Sequence, residues 1–133
     1  MNVKRFILAT IAAFAFVFVF EGLWHQLLMK DMYEATLSVW RPKDPSKMVY
    51  IFAGQLLFVA VLAFIYTVIG KHIPCKRGIA FGFFAGLLLA MPTLGTYCYL
   101  PIPLTITLMW MLACLLKGLG SGVVIAAIYK DKE

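Results

Sequence analysis

Four apolar runs dominate this chain, and each approaches or exceeds the roughly 20 residues that a helix needs to cross a bilayer. They cover about residues 4–28, 48–70, 78–98 and 104–129 of the 133 in the sequence. Only 14% of the residues are charged, whereas soluble domains average about 25%. We therefore predict an all-α fold: an integral membrane four-helix bundle in which residues 1–133 form a single transmembrane domain.

Lysine and arginine beside the spans predict that both termini are cytoplasmic. With that orientation, seven basic residues lie on the cytoplasmic side and four on the outer side. The seven are Lys4, Arg5, Lys71, Lys76, Arg77, Lys130 and Lys132, and the four are Lys30, Arg41, Lys43 and Lys47. The net charge of +6 then reflects topology and attraction to anionic lipid of the bilayer, so no nucleic acid partner is expected.

The first span is followed by the one sizeable stretch outside the membrane, residues 25–47. The span is expected to stay uncleaved, because the residues from Glu21 to His25 lack the small-x-small pattern that signal peptidase requires. The stretch is predicted to be a short amphipathic segment on the outer surface or an extension of the first helix. Its apolar face would contain Leu28, Met32, Tyr33, Thr36, Val39 and Trp40. Asp44-Pro45 then favours a helix N-cap that opens the second span.

Small residues recur at every fourth position in the third and fourth spans. The two series are Gly78, Gly82, Gly86 and Ala90, and Cys114, Gly118, Gly122 and Ala126. If the chain turns at Pro101-Ile102-Pro103, residue 78 faces 126, 82 faces 122, 86 faces 118 and 90 faces 114. This glycine-zipper pattern predicts a closely packed antiparallel pair of helices. The same pattern could arise by chance in spans rich in glycine and alanine, or could form a contact between subunits.

Two charged residues, Glu21 and Lys117, lie inside the spans, where an unpaired charge costs several kcal/mol. Lys117 falls near mid-membrane, and Glu21 lies roughly 8 Å towards the outer face at about 1.5 Å per residue. Side chains lean towards the N-terminus of their own helix, so these two converge. We predict an ion pair inside the bundle, since such a pair offsets much of the burial cost of each charge.

Other polar side chains lie at a depth similar to that of Glu21 and are candidates for binding a ligand or ion with it and Lys117. They are His25, Gln55, Thr93 and Thr96. Together with Tyr97, Thr105 and Thr107 they could line a cavity that opens to the outside, or they could form only hydrogen bonds between helices. Such a cavity would be closed below by Phe14, Phe18, Leu87 and Leu88.

His25 follows Glu21 by four residues, on the same helical face. The two side chains could hold a metal, but suitable further ligands are lacking nearby, so neither a metal nor a cofactor is expected. His25 could instead lie at the membrane edge, bonded to water or headgroups, or relay protons beside the buried carboxylate.

Several short motifs are spread over nearly the full length of the chain: Tyr33, Trp40-Arg41-Pro42, Gly95-Thr96-Tyr97, Pro101-Ile102-Pro103 and Trp110. By these landmarks the chain resembles a group of uncharacterised small bacterial four-span integral membrane proteins. The resemblance implies a four-helix membrane fold and a bacterial source, in which a multi-pass helical protein belongs to the inner membrane. It implies no activity, ligand or catalytic residue.

Two function classes stay open. The favoured one is an interaction or accessory protein that assembles with itself, as a homo-oligomer, or with a larger membrane complex. The alternative is a small cation- or proton-coupled transporter or channel-like carrier in which Glu21 binds the ion and Lys117 is its counter-ion. A membrane metal-binding protein is third. An enzyme is not expected, because the sequence shows no nucleophile with a base, no ligand triad and no soluble domain.

Overall fold

The structure, a computed structural model, describes residues 2–69 and 76–129. Within these ranges the chain folds into helices and connecting turns, with no strand. The helices are α1 (Val3–Leu23), the short α2 (Lys30–Glu34), α3 (Met48–Ile69), α4 (Lys76–Tyr99) and α5 (Leu104–Ile128). The predicted all-α four-helix membrane bundle is thus confirmed.

Four helical stretches are long and apolar enough to cross a bilayer, which makes the chain a multi-pass membrane protein. They are Val3–Leu28, Pro45–Val68, Gly78–Tyr99 and Leu104–Ile128. Their ends agree with the predicted spans to within about three residues, the variation usual at helix ends. The predicted end of the second span, Gly70, lies outside the described residues, as do Lys71, Lys130 and Lys132, which entered the prediction of orientation.

The four long helices do not contact one another equally. α4 and α5 share the most extensive interface, α1 packs against both α5 and α3, and α3 touches α5 only slightly. α5 therefore lies between α4 and α1 and must present a different face to each of them.

The face of α5 towards α4 consists of small residues, so that the two backbones touch. The facing pairs are Gly78 with Ala126, Gly82 with Gly122 and Gly86 with Gly118. A methyl group at Gly118 would overlap the backbone of Gly86, and one at Gly122 would lie 2.6 Å from the Cα atom of Gly82. Ala90 is also buried, but no contact between it and Cys114 is described. Because no side chain fits at these glycines, the backbones of α4 and α5 lie in direct contact.

The face of α5 towards α1 is a separate stripe one residue away. It includes Ala113, Lys117, Ser121 and Ile125, which are spaced four residues apart and are buried or nearly so. The ring of Phe16 on α1 lies against Gly120, where an added methyl group would overlap it. A glycine outside the predicted series therefore lets α1 pack closely on α5.

Two apolar clusters fill the bundle, one towards each end. The cluster nearer the start of α1 joins α1, α3 and α5 and consists of Ala9, Ala13, Val17, Val59, Leu62, Ala63, Tyr66, Ile125 and Ala126. The cluster at the opposite end consists of Trp24, Met29, Ile102, Ile106 and Ala113. Glu21 and Lys117 lie between the two clusters along their helices.

The connection between α1 and α3 covers the second cluster. The chain leaves α1 through a π-helical turn, Trp24–Leu28, before it enters α2. Met32, Tyr33, Val39 and Trp40 pack on the cluster, as the amphipathic pattern predicts. Leu28, which the same pattern assigns to the buried face, is exposed, because the wider π turn shifts the helical register.

The N-cap predicted at Asp44 is present. Its Oδ1 atom accepts hydrogen bonds from the amide of Ser46 at 3.0 Å and from the Ser46 hydroxyl at 2.7 Å. These bonds hold the pKa of the exposed Asp44 carboxyl below its usual value. Pro45 occupies the first position of the 3₁₀ turn that leads into α3, as expected for a proline at a helix start.

Candidate functional site

Glu21 and Lys117 meet in the interior of the bundle. The Lys117 Nζ atom lies 2.6 Å from Glu21 Oε1, and each side chain is only 14% exposed. Glu21 belongs to the buried stripe of α1 because it follows Val17 by four residues, and Lys117 belongs to the stripe of α5 that faces α1. The ammonium also lies 5.8 Å from the centre of the Phe58 ring on α3, a distance suited to a cation–π contact. The two opposite charges therefore join α1 and α5 in a region from which water is largely excluded.

His25 binds the other oxygen of the same carboxylate. Its Nε2 atom lies 3.0 Å from Glu21 Oε2. An ionised carboxylate only accepts hydrogen bonds, so Nε2 must carry a hydrogen. Each oxygen of Glu21 thus has its own donor, one from α5 and one from the π-helical turn.

Tyr33 on α2 continues the chain of hydrogen bonds. Its hydroxyl lies 2.6 Å from His25 Nδ1 and accepts a hydrogen bond of 2.7 Å from Trp110 Nε1 on α5. The hydroxyl also lies 3.4 Å from the sulfur of Met29, to which it can donate. Burial, together with the charge of Glu21, raises the pKa of Tyr33 in spite of the bond from Trp110, so the phenol stays protonated at neutral pH.

These contacts form one continuous network: Lys117, Glu21, His25, Tyr33 and Trp110. The network leaves α5 at Lys117, passes through α1 and α2, and returns to α5 seven residues earlier, about two turns away. It therefore ties the connection between α1 and α3 to the body of the bundle.

An aromatic layer shields the outer part of the network. The ring of Trp40 meets the rings of Tyr33 and Trp110 edge-on, at centroid distances of 5.4 and 6.0 Å. Its indole N–H donates to the hydroxyl of Thr36 at 2.9 Å, and that hydroxyl donates to the Met32 carbonyl at 2.8 Å. The network is thus enclosed by rings whose own polar atoms are satisfied.

Three other predicted site residues do not join this network. The hydroxyls of Thr93 and Thr96 donate to carbonyls of their own helix, those of Ala90 and Thr93, each at 2.6 Å. Gln55 on α3 has a buried side-chain oxygen without a hydrogen-bond partner among the described residues. Thr93 and Thr96 are thus paired within α4, and the Gln55 oxygen is left unpaired.

The predicted floor of a cavity is wrong at two positions. Phe18 and Leu88 are 49% and 71% exposed, so they face the surroundings of the bundle and cannot close a space inside it. The space below the ion pair is filled instead by the first apolar cluster, which includes Val17, Val59 and Leu62. In a span that is apolar on every side, residues that face the interior and residues that face outwards are equally hydrophobic. The sequence alone therefore does not distinguish them.

Among the described residues, no group of three or more His, Cys, Asp and Glu side chains is placed to hold a metal ion. The donors that surround Glu21 are instead an ammonium and an imidazole N–H, which satisfy a carboxylate directly.

Tyr33 and Trp110 belong to the network, and Met29 contacts it through the Tyr33 hydroxyl, but none of the three was predicted as a site residue. Two signals were present in the sequence. Tyr33 and Trp110 are among the short motifs noted in the sequence, and Tyr33 lies two helical turns after His25. No family model, curated protein or solved structure matches the chain.

Proposed function

We propose that this chain is an interaction or accessory protein of the bacterial inner membrane that assembles with itself or with a larger membrane complex. The observation that carries the proposal is the complete internal pairing of Glu21. Both carboxylate oxygens are taken by Lys117 and His25, so the ionisable groups inside the bundle serve to hold helices together.

The apolar cluster below the ion pair supports the same proposal. A transport path needs polar groups or water on both sides of a central charge. Here the buried side chains between Lys117 and the start of α1 are mainly apolar, with Val17, Val59 and Leu62 among them. A bundle with such an apolar interior is suited to binding partner helices on its outer surface and is poorly suited to conducting ions or protons.

The exposed surface offers area for partner helices. Large apolar side chains are exposed on every long helix, among them Ile11, Leu57, Leu88 and Leu108. Lipid covers such surfaces, and so do neighbouring transmembrane helices. The small-residue seam between α4 and α5 is already occupied within the chain, so it stabilises the subunit and leaves the outer faces for assembly.

A proton-coupled carrier is the second candidate, and one observation favours it. The hydrogen-bonded network extends without a break from Lys117, near mid-membrane, to Tyr33 at the end of the bundle. Imidazole and phenol side chains in such a series can pass protons along it.

The experiment that separates the two candidates measures assembly and proton flux on the same preparation. Native mass spectrometry from lipid nanodiscs or mild detergent gives the subunit number, and liposomes with an internal pH dye give the flux. We expect oligomers, or a stable complex with other membrane proteins, and a flux no greater than that of protein-free liposomes.

Glu21→Gln and Glu34→Gln form a matched pair for this experiment, since Glu34 is an exposed carboxylate paired with Lys30 on α2. Glu21→Gln should weaken assembly, whereas Glu34→Gln should leave it unchanged. A monomeric protein whose proton flux is abolished by Glu21→Gln alone would overturn the accessory function and establish the carrier.

A further inference from the structure

The Tyr33 hydroxyl has three hydrogen-bonding neighbours but only one proton to donate. The indole N–H of Trp110 can only donate, so it occupies one lone pair of the hydroxyl oxygen, at 2.7 Å. The remaining neighbours are His25 Nδ1 at 2.6 Å and Met29 Sδ at 3.4 Å. The phenolic proton can therefore point to a nitrogen or to a sulfur, and the choice depends on whether Nδ1 already carries a hydrogen.

The other side of the His25 ring fixes its hydrogen in place. Nε2 faces Glu21 Oε2 at 3.0 Å, and the second oxygen of that carboxylate is taken by Lys117. Nε2 must donate to this carboxylate whether the imidazole is neutral or charged. The neutral ring therefore has its free lone pair on Nδ1, which faces Tyr33.

We infer that His25 Nδ1 is a binding site for a single proton. The sulfur of Met29 is the alternative acceptor for the Tyr33 O–H group when that proton is bound. When the site is empty, Tyr33 donates to Nδ1. When a proton binds, the Nδ1–H group donates to the Tyr33 oxygen, and the phenolic O–H turns to the sulfur of Met29. The second lone pair of the tyrosine oxygen accepts the new bond, so every polar group of the network has a partner in both states.

The proton would reach the ring from the α2 side, because His25 lies close to the end of the first span and its side chain is 30% exposed. The charged groups around the ring are few. Glu21 on α1 faces Nε2 through one carboxylate oxygen, and Lys117 on α5 lies against the other oxygen of the same carboxylate. On α2, Lys30 and Glu34 pair with each other at the surface, and Asp31 is exposed. α3 has no charged residue, and those of α4 lie at its opposite end.

Proton binding changes the charge of the buried group formed by Glu21, Lys117 and His25 from zero to +1 while the ion pair stays intact. This goes beyond the proposed assembly function, because it gives the protein a charge that depends on the pH at one side of the membrane. The change requires only that the Tyr33 hydroxyl turns about its C–O bond, and the helices need not move.

Nitrogen NMR of ¹⁵N-histidine-labelled protein in lipid nanodiscs tests this inference. Histidine occurs twice in the sequence, so His72→Gln leaves His25 as the single signal. The chemical shifts of the two ring nitrogens report both the tautomer and the charge. We expect the Nε2–H tautomer in the neutral ring and a proton added at Nδ1 when the pH is lowered, with an unchanged near-UV spectrum of the tryptophans.

Met29→Leu isolates the alternative acceptor. It leaves the empty state untouched and removes the partner of the tyrosine proton in the loaded state, so proton affinity should fall about two- to tenfold, the range for one lost hydrogen bond. Met32→Leu is the matched control, because Met32 lies one turn away and offers only its backbone carbonyl, and it should leave the affinity unchanged. Met29→Gln supplies a stronger acceptor and should raise the affinity.

Three results would overturn the inference. The first is a neutral His25 with its hydrogen on Nδ1, and the second is a ring that stays neutral across the whole pH range in folded protein. These first two results are measured on the His72→Gln protein alone, so they test the inference even if a Met29 variant fails to fold. The third is a Met29→Leu protein that binds the proton as tightly as Met32→Leu.

Discussion

At the residue scale, the Tyr33 hydroxyl ties together side chains that are distant in sequence. It contacts His25 and Met29 just after α1 and accepts a hydrogen bond from Trp110 on α5, 77 positions later. A buried polar group that loses its partner costs more than a hydrogen bond contributes while intact. The hydroxyl should therefore contribute to stability out of proportion to its size.

Tyr33→Phe keeps the ring and its packing but leaves the Trp110 N–H and His25 Nδ1 without their partner. We expect a loss of about 1–3 kcal/mol in the free energy of unfolding, the cost of unsatisfied buried groups. Unfolding in mixed detergent–lipid micelles, followed by circular dichroism, gives this value. Tyr50→Phe is the control, because Tyr50 is highly exposed. Equal stability of the two variants would show that the network does not stabilise the fold.

The sequence predicted some of these residues and missed others for a physical reason. Glu21 and Lys117 were predicted because a charge in a bilayer needs a partner and their depths match. Tyr33 and Trp110 are amphipathic side chains that are equally suited to the headgroup region, so their presence near a span end does not indicate a hydrogen bond between them. Only the fold of the connection after α1 brings them together.

At the scale of elements, α5 organises the bundle because its two stripes serve different purposes. The stripe through Gly118 and Gly122 has only hydrogen atoms in place of side chains at these two positions, which lets α4 approach. The stripe through Lys117 and Ser121 faces α1 and includes the ion pair. Close backbone packing and charge pairing therefore act on adjacent sides of one helix.

Gly118→Ala should destabilise the bundle, because the added methyl group overlaps the backbone of Gly86 and would lie 2.6 Å from the carbonyl oxygen of Gly82. Backbone cannot move aside cheaply, so α4 and α5 must separate. Gly95→Ala on α4 is the matched control: its methyl group meets nothing within 4 Å, and alanine favours helix over glycine by about 1 kcal/mol.

The thermal unfolding midpoints of these two variants in nanodiscs give the comparison. We expect the midpoint of Gly118→Ala to fall and that of Gly95→Ala to stay or rise. If both variants keep the wild-type midpoint, the seam is looser than the structure describes.

The facing residues of this hairpin could be predicted from the sequence, because its small residues and its short turn together set the register of the two helices. The sequence did not predict which of the other helices pack against one another. Positions such as Phe18 and Leu88 are apolar whether they meet lipid or protein, so hydrophobicity does not separate the two surfaces in a membrane. Gly120 makes room for the ring of Phe16 on α1. It lies outside the four-residue series of small residues, so the spacing did not predict this contact.

At the scale of the whole molecule, the two ends of the bundle differ. The end near the start of α1 is closed by apolar side chains, and the opposite end contains the network and its aromatic layer. The excess of basic residues beside the first end favours its placement in the cytoplasm. The network would then face the outer side of the membrane.

Cysteine labelling tests this orientation. In a background without the three native cysteines, Ser38→Cys lies in the exposed connection after α2, and Val3→Cys lies at the exposed start of α1. A membrane-impermeant maleimide should label Ser38→Cys in intact spheroplasts and Val3→Cys only after lysis. The reverse result would invert the topology and place the network on the cytoplasmic side.

The central claim is that Glu21 and Lys117 stabilise each other inside the membrane, and a double-mutant cycle measures this directly. Unfolding free energies in lipid are needed for wild type, Glu21→Gln, Lys117→Met and the double variant. We expect each single variant to lose about 3 kcal/mol, because it leaves one buried group without its partner, and the double variant to lose much less than the sum. Strictly additive losses, or single variants as stable as wild type, would contradict the claim.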